Sequence, residues 1–145
     1  VSFEQLVKMT ASDAATGDSF GNSVAIDGDT VVIGAYENSR GAAYVFRTTD
    51  GGATYDQVTK LTAADAAASD YFGLSVAIDG DTVVVGARGD DDACTADIAC
   101  NSGSAYVFEE ESGWWDYFSS DAATRALPSA AILLAAAAVL AAILA

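Results

Sequence analysis

The densest group of chemically versatile side chains lies in residues 88–104, RGDDDACTADIACNSGS. Four carboxylates in this segment are our candidate ligand-binding residues: Asp90, Asp91, Asp92 and Asp97. Binding residues concentrate on loops held by rigid scaffolds, which favours contact with a metal ion or a basic ligand. The alternative is a solvated acidic loop that keeps a sheet edge soluble. We assign no metal site to it.

Two cysteines lie in the same segment, Cys94 and Cys100, with five residues between them. A ring of this size closes easily, so the spacing predicts a disulfide that pins the base of the loop. A disulfide indicates an oxidising compartment. Free thiols are the alternative, and zinc is disfavoured because the chain has no histidine to complete a ligand set.

The overall composition argues against catalysis and against polyanionic partners. Asp and Glu number 21 against 6 Lys and Arg, for a net charge of -15, so nucleic acid is not expected to bind. The absence of histidine removes the commonest general base at neutral pH. We therefore predict a non-catalytic protein without a cofactor.

A long internal repeat organises the chain. Residues 8–35 and 60–87 are identical at 21 of 28 positions, at an offset of 52 residues. AYVF at 43–46 returns at 105–108, so the second copy contains ten extra residues, which fall in the acidic segment. A fixed period near 50 is typical of propeller blades, whereas two consecutive hairpin pairs in a β-sandwich would not explain the identity.

Each copy predicts four short antiparallel strands, at 23–26, 30–35, 42–46 and 55–61 in the first. The DGD sequence at 27–29 predicts a tight turn with Gly28 at positive φ. FEQLVK at 3–8 matches YDQVTK at 55–60 in type, which predicts that the chain opens inside an outer strand. The inner strands are apolar on both faces, so each sheet is expected to stack on a copy of itself.

Two short motifs recur at the ends of the inner strands and are expected to have packing roles. An aromatic–glycine pair precedes the first strand and a Gly–Ala pair ends the second. Small residues there would allow close approach of neighbouring sheets. The residues concerned are Phe20, Gly21, Gly34 and Ala35, and in the second copy Phe72, Gly73, Gly86 and Ala87.

With these motifs, FGNSVAI…VVIGA and FGLSVAI…VVVGA, the chain resembles FG-GAP repeat proteins, whose blades form the integrin α-subunit head. The resemblance implies an extracellular β-propeller. Two departures are clear: Tyr36 and Arg88 replace the expected proline, and the long calcium-binding loop is reduced to IDGDT. Asp27 and Asp29, like Asp79 and Asp81, flank one glycine in a tight turn. Two such carboxylates do not supply six to eight oxygens, so a plain turn is favoured over a calcium site.

The predicted fold is all-β, with two four-stranded antiparallel propeller blades forming a partial β-propeller, followed by a C-terminal hydrophobic helix. We place the repeat region at 1–118, with blades at about 3–53 and 55–118, a linker at 119–128 and the helix at 129–145. The chain starts within the pattern, which favours a truncated or processed N-terminus. The uncharged tail is interpreted as a lipid-anchor signal, a retained membrane helix or a gene-model artefact.

The expected function is a non-catalytic extracellular, surface-anchored binding or adhesion module that contacts a protein or glycan. An accessory repeat domain of a larger extracellular enzyme is the alternative, and a structural spacer stays open. The RGD tripeptide at 88–90 is interpreted as coincidence, because Arg88 aligns with Tyr36 at a strand end. Trp114 and Trp115 suggest a carbohydrate platform, but blade packing is favoured.

Overall fold

Seven β-strands form the regular structure of the computed structural model, which describes residues 1–94 and 100–111. The strands follow the predicted apolar runs and are separated by turns and loops. Their bounds are β1 (Ser23–Asp27), β2 (Thr30–Ala35), β3 (Ala42–Arg47), β4 (Asp56–Leu61), β5 (Phe72–Asp79), β6 (Thr82–Ala87) and β7 (Ser104–Glu109).

The first sheet has four antiparallel strands in the order β1-β2-β3-β4, as predicted. β1 and β2 pair from Ser23↔Gly34 to Asp27↔Thr30, which leaves a two-residue turn. Gly28 has φ +52° at this turn, a conformation that glycine adopts without steric cost. β4 pairs with β3, so the segment that resembles residues 3–8 belongs to the first sheet.

The second sheet repeats this arrangement with three described strands in the order β5-β6-β7. Its register matches that of the first sheet: Val85 pairs with Val76 on one side and with Tyr106 on the other. The all-β class and the antiparallel sheets are therefore confirmed. The predicted fourth strand of the second blade lies outside the described residues, as does the predicted helix at 129–145.

The two sheets pack face to face. We call the face that carries Val32 and Val45 in the first sheet, and Val84 and Val107 in the second, the back face. The opposite face of each sheet is its front face. The main hydrophobic cluster joins the back face of the first sheet to the front face of the second. Val32, Phe72 and Val85 have no exposed surface, and burial of such side chains contributes roughly 1.5–3 kcal/mol each.

Glycine allows the backbones of the two sheets to meet. A Cβ atom on Gly34 would overlap the carbonyl oxygen of Gly73. The same Cβ would lie only 3.0 Å from the carbonyl carbon of Gly73. Gly73 itself has φ +92° and approaches the backbone of Ala42. Hydrogen bonds reinforce the contact: the hydroxyl of Ser23 donates to the Gly73 carbonyl oxygen at 2.8 Å.

Charged groups also link the sheets at their margins. The backbone N–H of Gly80 donates to Asp27 Oδ2 at 2.6 Å. Arg47 makes two hydrogen bonds to the Glu110 carboxylate, at 2.9 and 2.6 Å. Both partners of that ion pair are more than a third exposed, so its contribution to stability is small.

The front face of the first sheet is covered only in part. Residues before β1, among them Met9, Ala11 and Phe20, pack on the centre of this face. Phe20 makes edge-on contacts with Tyr44 and Phe46, just as Phe72 does with their counterparts in the second copy. The prediction of a strand at residues 3–8 is wrong for this structure: none of the described strands pairs with the segment, and Phe3 is 97% exposed. In the part of the chain that is described, no helix has the length and apolar character needed to cross a membrane.

Candidate functional site

A polar cluster beside the first sheet, which we call the first notch, consists of Asp13, Asn38, Tyr44 and Lys60. The Lys60 ammonium donates to Asp13 Oδ2 at 2.6 Å and to Asn38 Oδ1 at 3.0 Å. The Tyr44 hydroxyl donates to the other carboxylate oxygen of Asp13 at 2.8 Å. Lys60 Nζ also lies 5.2 Å from the centre of the Tyr44 ring. The first notch is therefore a cation site occupied by the chain's own lysine.

The strands position this site. Tyr44 on β3 is the register partner of Lys60 on β4, so the two side chains leave the same face of the sheet. Asn38 is buried in the turn after β2, where its N–H donates to the Ala35 carbonyl. The hydrogen bond from Lys60 is the main reason that the pKa of Asp13 lies below its ordinary value.

The second copy contains a corresponding cluster, the second notch, made of Asp65, Asp90, Asp92 and Tyr106. One carboxylate oxygen from each aspartate lies within 4.8 Å of the others. The Tyr106 hydroxyl oxygen is 2.9 Å from Asp65 Oδ1 and 2.7 Å from Asp90 Oδ2. A hydroxyl has one hydrogen and donates to only one of these oxygens at a time. Two of the three carboxylates thus share one tyrosine donor, and the third, Asp92, makes no hydrogen bond to it.

The two notches differ in charge because of two substitutions and because Lys60 has no counterpart in the second one. Asp65 and Tyr106 are the counterparts of Asp13 and Tyr44. At the offset of 52, Asn38 becomes Asp90 and Arg40 becomes Asp92, which adds two negative charges and removes a positive one. No lysine occurs anywhere after residue 60, so no later part of the chain repeats Lys60. The second notch has the carboxylates of a cation site but no counterpart of its ammonium.

Electrostatic effects within the second notch follow from this crowding. The negative charge of Asp90 is the main factor that raises the pKa of Asp92. Asp90 is 3% exposed, and its pKa is lowered chiefly by a hydrogen bond from the Asp92 N–H and then by Tyr106. Burial raises the pKa of Tyr106, with the hydrogen bond to Asp90 as the next cause. A bound cation would relieve the repulsion between the carboxylates.

The acidic segment predicted from the sequence is only partly at this site. Asp90 and Asp92 lie in the second notch, whereas the backbone carbonyl of Asp91 accepts the Cys94 N–H at 2.9 Å. Asp97 lies outside the described residues. Asp65 and Tyr106 were not among the predicted site residues, although their counterparts Asp13 and Tyr44 recur at the same places of the first copy, and that recurrence is the signal in the sequence.

The disulfide between Cys94 and Cys100 is present, with a Cα–Cα distance of 6.3 Å. The insertion that it closes begins and ends at the second notch, because the Gly103 N–H donates to the Asp90 carbonyl at 2.8 Å. In the first copy the Gly41 N–H makes the same bond to Asn38. The ten extra residues therefore extend a turn that both copies share.

The DGD turns take part in sheet packing. The Asp27 carboxylate accepts a hydrogen bond from the next copy of the turn, at Gly80, whose φ is +56°. In the cluster formed by Asp65, Asp90 and Asp92, carboxylates from separate loops converge, which the two-residue turn does not achieve. The expectation that these turns bind no calcium stays a prediction.

Two stacked antiparallel sheets of matching register, with loop clusters at equivalent positions, define a repeat module of the β-propeller type. The FG-GAP repeat matches this chain twice, at residues 3–46 and 55–108. The chain therefore belongs to the FG-GAP repeat family. No curated protein matches its sequence.

Proposed function

We propose that this protein is a non-catalytic extracellular binding or adhesion module that takes a cationic group of its ligand into the second notch. The observation that supports this most directly is the comparison of the two notches. The first holds the Lys60 ammonium against Asp13, and the second offers three carboxylates at the equivalent place. A lysine side chain of a protein ligand is the group with the matching chemistry.

Three features support a place outside the cell. The Cys94–Cys100 disulfide is typical of oxidising compartments. FG-GAP repeats commonly occur in extracellular proteins. The strongly negative net charge of -15 favours solubility at a cell surface and attraction to basic ligands. Attachment to the membrane through the C-terminal segment is part of the same proposal.

A titration tests the cation-binding role. Nα-acetyl-lysine methylamide is added to the full chain, and the ring resonances of Tyr106 are followed by NMR. We expect saturable millimolar binding that is lost when Asp65→Asn and Asp92→Asn are combined. The matched control combines Asp29→Asn and Asp79→Asn, which removes two charges from the turns and leaves the notch intact.

The outcomes of this titration separate two kinds of charge effect. Binding that survives in the notch variant, or that falls equally in both variants, would contradict a specific site and leave only general attraction to an acidic protein. A parallel titration with calcium chloride compares the two cations. Displacement of the lysine probe by calcium at lower concentration would assign the notch to a metal instead.

A further inference from the structure

The N-terminal segment repeats the one strand that the second sheet lacks among its described residues. At the offset of 52, residues 4–9 align with β4, and Lys8 aligns with Lys60. Resting on the proposed function, we propose that the cation of the second notch is Lys8 of a second copy of this chain. Residues 4–9 of that copy add to β7 as its fourth strand, and its first sheet stacks on the back face of the second sheet.

The strand register predicts where Lys8 arrives. In the first sheet Tyr44 pairs with Lys60 and Phe46 pairs with Gln57. The same register on β7 pairs Tyr106 with Lys8. The ammonium then enters the second notch from the direction in which Lys60 enters the first. Lys8 is exposed in the isolated chain and is available for this contact.

A chain does not deliver Lys8 to its own second notch. Met9 and Ala11 pack on the front face of the first sheet, so residues 4–8 belong in front of that sheet. β7 belongs to the second sheet, which lies behind the first one. The donor segment and the acceptor edge are thus at opposite ends of the two-sheet stack, and a second copy is needed to join them.

Two exposed apolar faces fit each other because they repeat the interface within the chain. On the front face of the first sheet Val24 and Ile26 are 66% and 65% exposed, whereas their counterparts Val76 and Ile78 are packed against the other sheet. On the back face of the second sheet Val107 is 63% exposed, although its counterpart in the first sheet is buried. Stacking two copies would cover both faces, and the contacts would be made by the counterparts of the residues that already pack between the two sheets of one chain.

The glycines leave the space that this stacking requires. Gly21 has φ +92°, like Gly73, but nothing lies within 4 Å of the place where its Cβ would be. Gly34 meets the backbone of Gly73, whereas its counterpart Gly86 meets only Ser75 of its own sheet. Gly21 and Gly86 therefore correspond to the two glycines of the close backbone approach, and no backbone of the other sheet lies against either of them.

Such a contact joins two different surfaces, so it generates a closed ring or an open array. Propellers have about 4–8 blades, which corresponds to roughly two to four copies when each copy contributes its two described sheets. The Arg47–Glu110 ion pair would have no equivalent between copies. There Glu109 takes the place of Arg47, and Thr48 takes the place of Glu110. The net charge of -15 on each copy opposes association, which is therefore expected to strengthen as salt is added.

A strand from the chain's own residues after Glu111 is the competing occupant of the β7 edge. That segment would not fill the notch in the same way, because it contains no lysine. The two occupants therefore predict opposite effects of changing Lys8.

The test mixes ¹⁵N-labelled and unlabelled full chains in mild detergent and joins amines to carboxylates with a zero-length carbodiimide cross-linker. Mass spectrometry is expected to find Lys8 joined to Asp65, Asp90 or Asp92 in peptide pairs of mixed isotope content. Sedimentation velocity of the same sample is expected to show two to four copies, with Lys8→Gln weakening association about tenfold or more. Lys8→Arg, which keeps the charge, is expected to associate like the unchanged chain.

Two further variants act on the acceptor side. Asp92→Arg replaces a carboxylate of the second notch with a cation, at the position that Arg40 occupies in the first copy, and is expected to weaken association. Gly86→Ala puts a Cβ into the backbone approach and is expected to do the same without altering the notch. A single copy at all concentrations, cross-links within one isotope only, or equal association of the Gln and Arg variants at position 8 would overturn the proposal.

The Lys8→Gln chain also separates this inference from the proposed function. If that chain still binds Nα-acetyl-lysine methylamide at Tyr106 while its association is unchanged, the notch binds cations and the second-copy inference fails. If the Lys8→Gln chain does not bind the probe and associates like the unchanged chain, both the proposed function and the second-copy inference fail.

Discussion

The close approach of the two sheets makes a quantitative prediction for the pair Gly34→Ala and Gly86→Ala. Both glycines end the second strand of their sheet, both have ordinary backbone angles, and in both a Cβ would press on the hydroxyl of a neighbouring serine. Only at Gly34 would it also overlap the backbone of Gly73 in the other sheet. The serine side chain is flexible and rotates away, whereas a strand backbone does not.

Gly34→Ala must therefore push the sheets apart or distort a strand, and overpacking of this kind costs about 1–3 kcal/mol. We expect its free energy of unfolding to fall by that amount more than that of Gly86→Ala. With a urea m value of about 1–2 kcal/mol/M, the unfolding midpoints should differ by roughly 1 M. Urea titrations followed by circular dichroism, at concentrations where the chain is monomeric, provide the measurement. Equal midpoints for the two variants would refute the stacked arrangement of the sheets.

Three further predictions concern the notches and loops. Tyr106→Phe removes a hydrogen bond to a buried carboxylate and should lower the free energy of unfolding by about 1–3 kcal/mol in thermal melts at pH 7. Tyr44→Phe should lower the free energy of unfolding less, because Asp13 keeps its hydrogen bond from Lys60. A larger loss for Tyr44→Phe than for Tyr106→Phe would contradict the comparison of the notches. Replacing Cys94 and Cys100 by serine should cost about 2 kcal/mol by freeing a short loop in the unfolded chain, and an unchanged melting temperature would show that the bond does not matter. Hydrogen bonds from the Thr54 side chain and backbone lower the pKa of Asp50 to about 2. The contribution of Asp50 to stability is therefore present above pH 3.8 and is lost as the pH falls through about 2. An NMR titration of Asp50 with a midpoint near 3.8 would disprove this.

Much of the fold could be predicted from the sequence because the repeat supplies two independent readings of each strand. The β-branched run at 30–35 and the DGD turn gave the correct strand and turn positions. The segment at 3–8 was mistaken for a paired strand because its pattern equals that of β4. A strand exists only where another edge accepts its hydrogen bonds, and a sequence pattern does not say whether that edge is present.

The candidate site was harder to predict for a similar reason. The acidic run drew attention to Asp90, Asp91 and Asp92, which are adjacent in sequence. The structure separates Asp91 from the other two and adds Asp65, which comes from a loop 25 residues earlier. Which carboxylates converge depends on how the second sheet positions its loops, and that is decided by the folded structure and not by adjacency in the sequence. Alignment of the two copies recovers the rest, because it shows that the lysine of the first notch has no later repeat.

Methyl NOE spectroscopy of the full chain tests the central claim most directly, namely that the back face of the first sheet packs on the front face of the second. Cross-peaks from the methyl groups of Val32 and Val45 to those of Val76, Ile78 and Val85 are expected, since all belong to one hydrophobic cluster. If the methyl groups of each sheet showed cross-peaks only within that sheet, the stacked pair would be wrong, together with the binding site and the assembly derived from it.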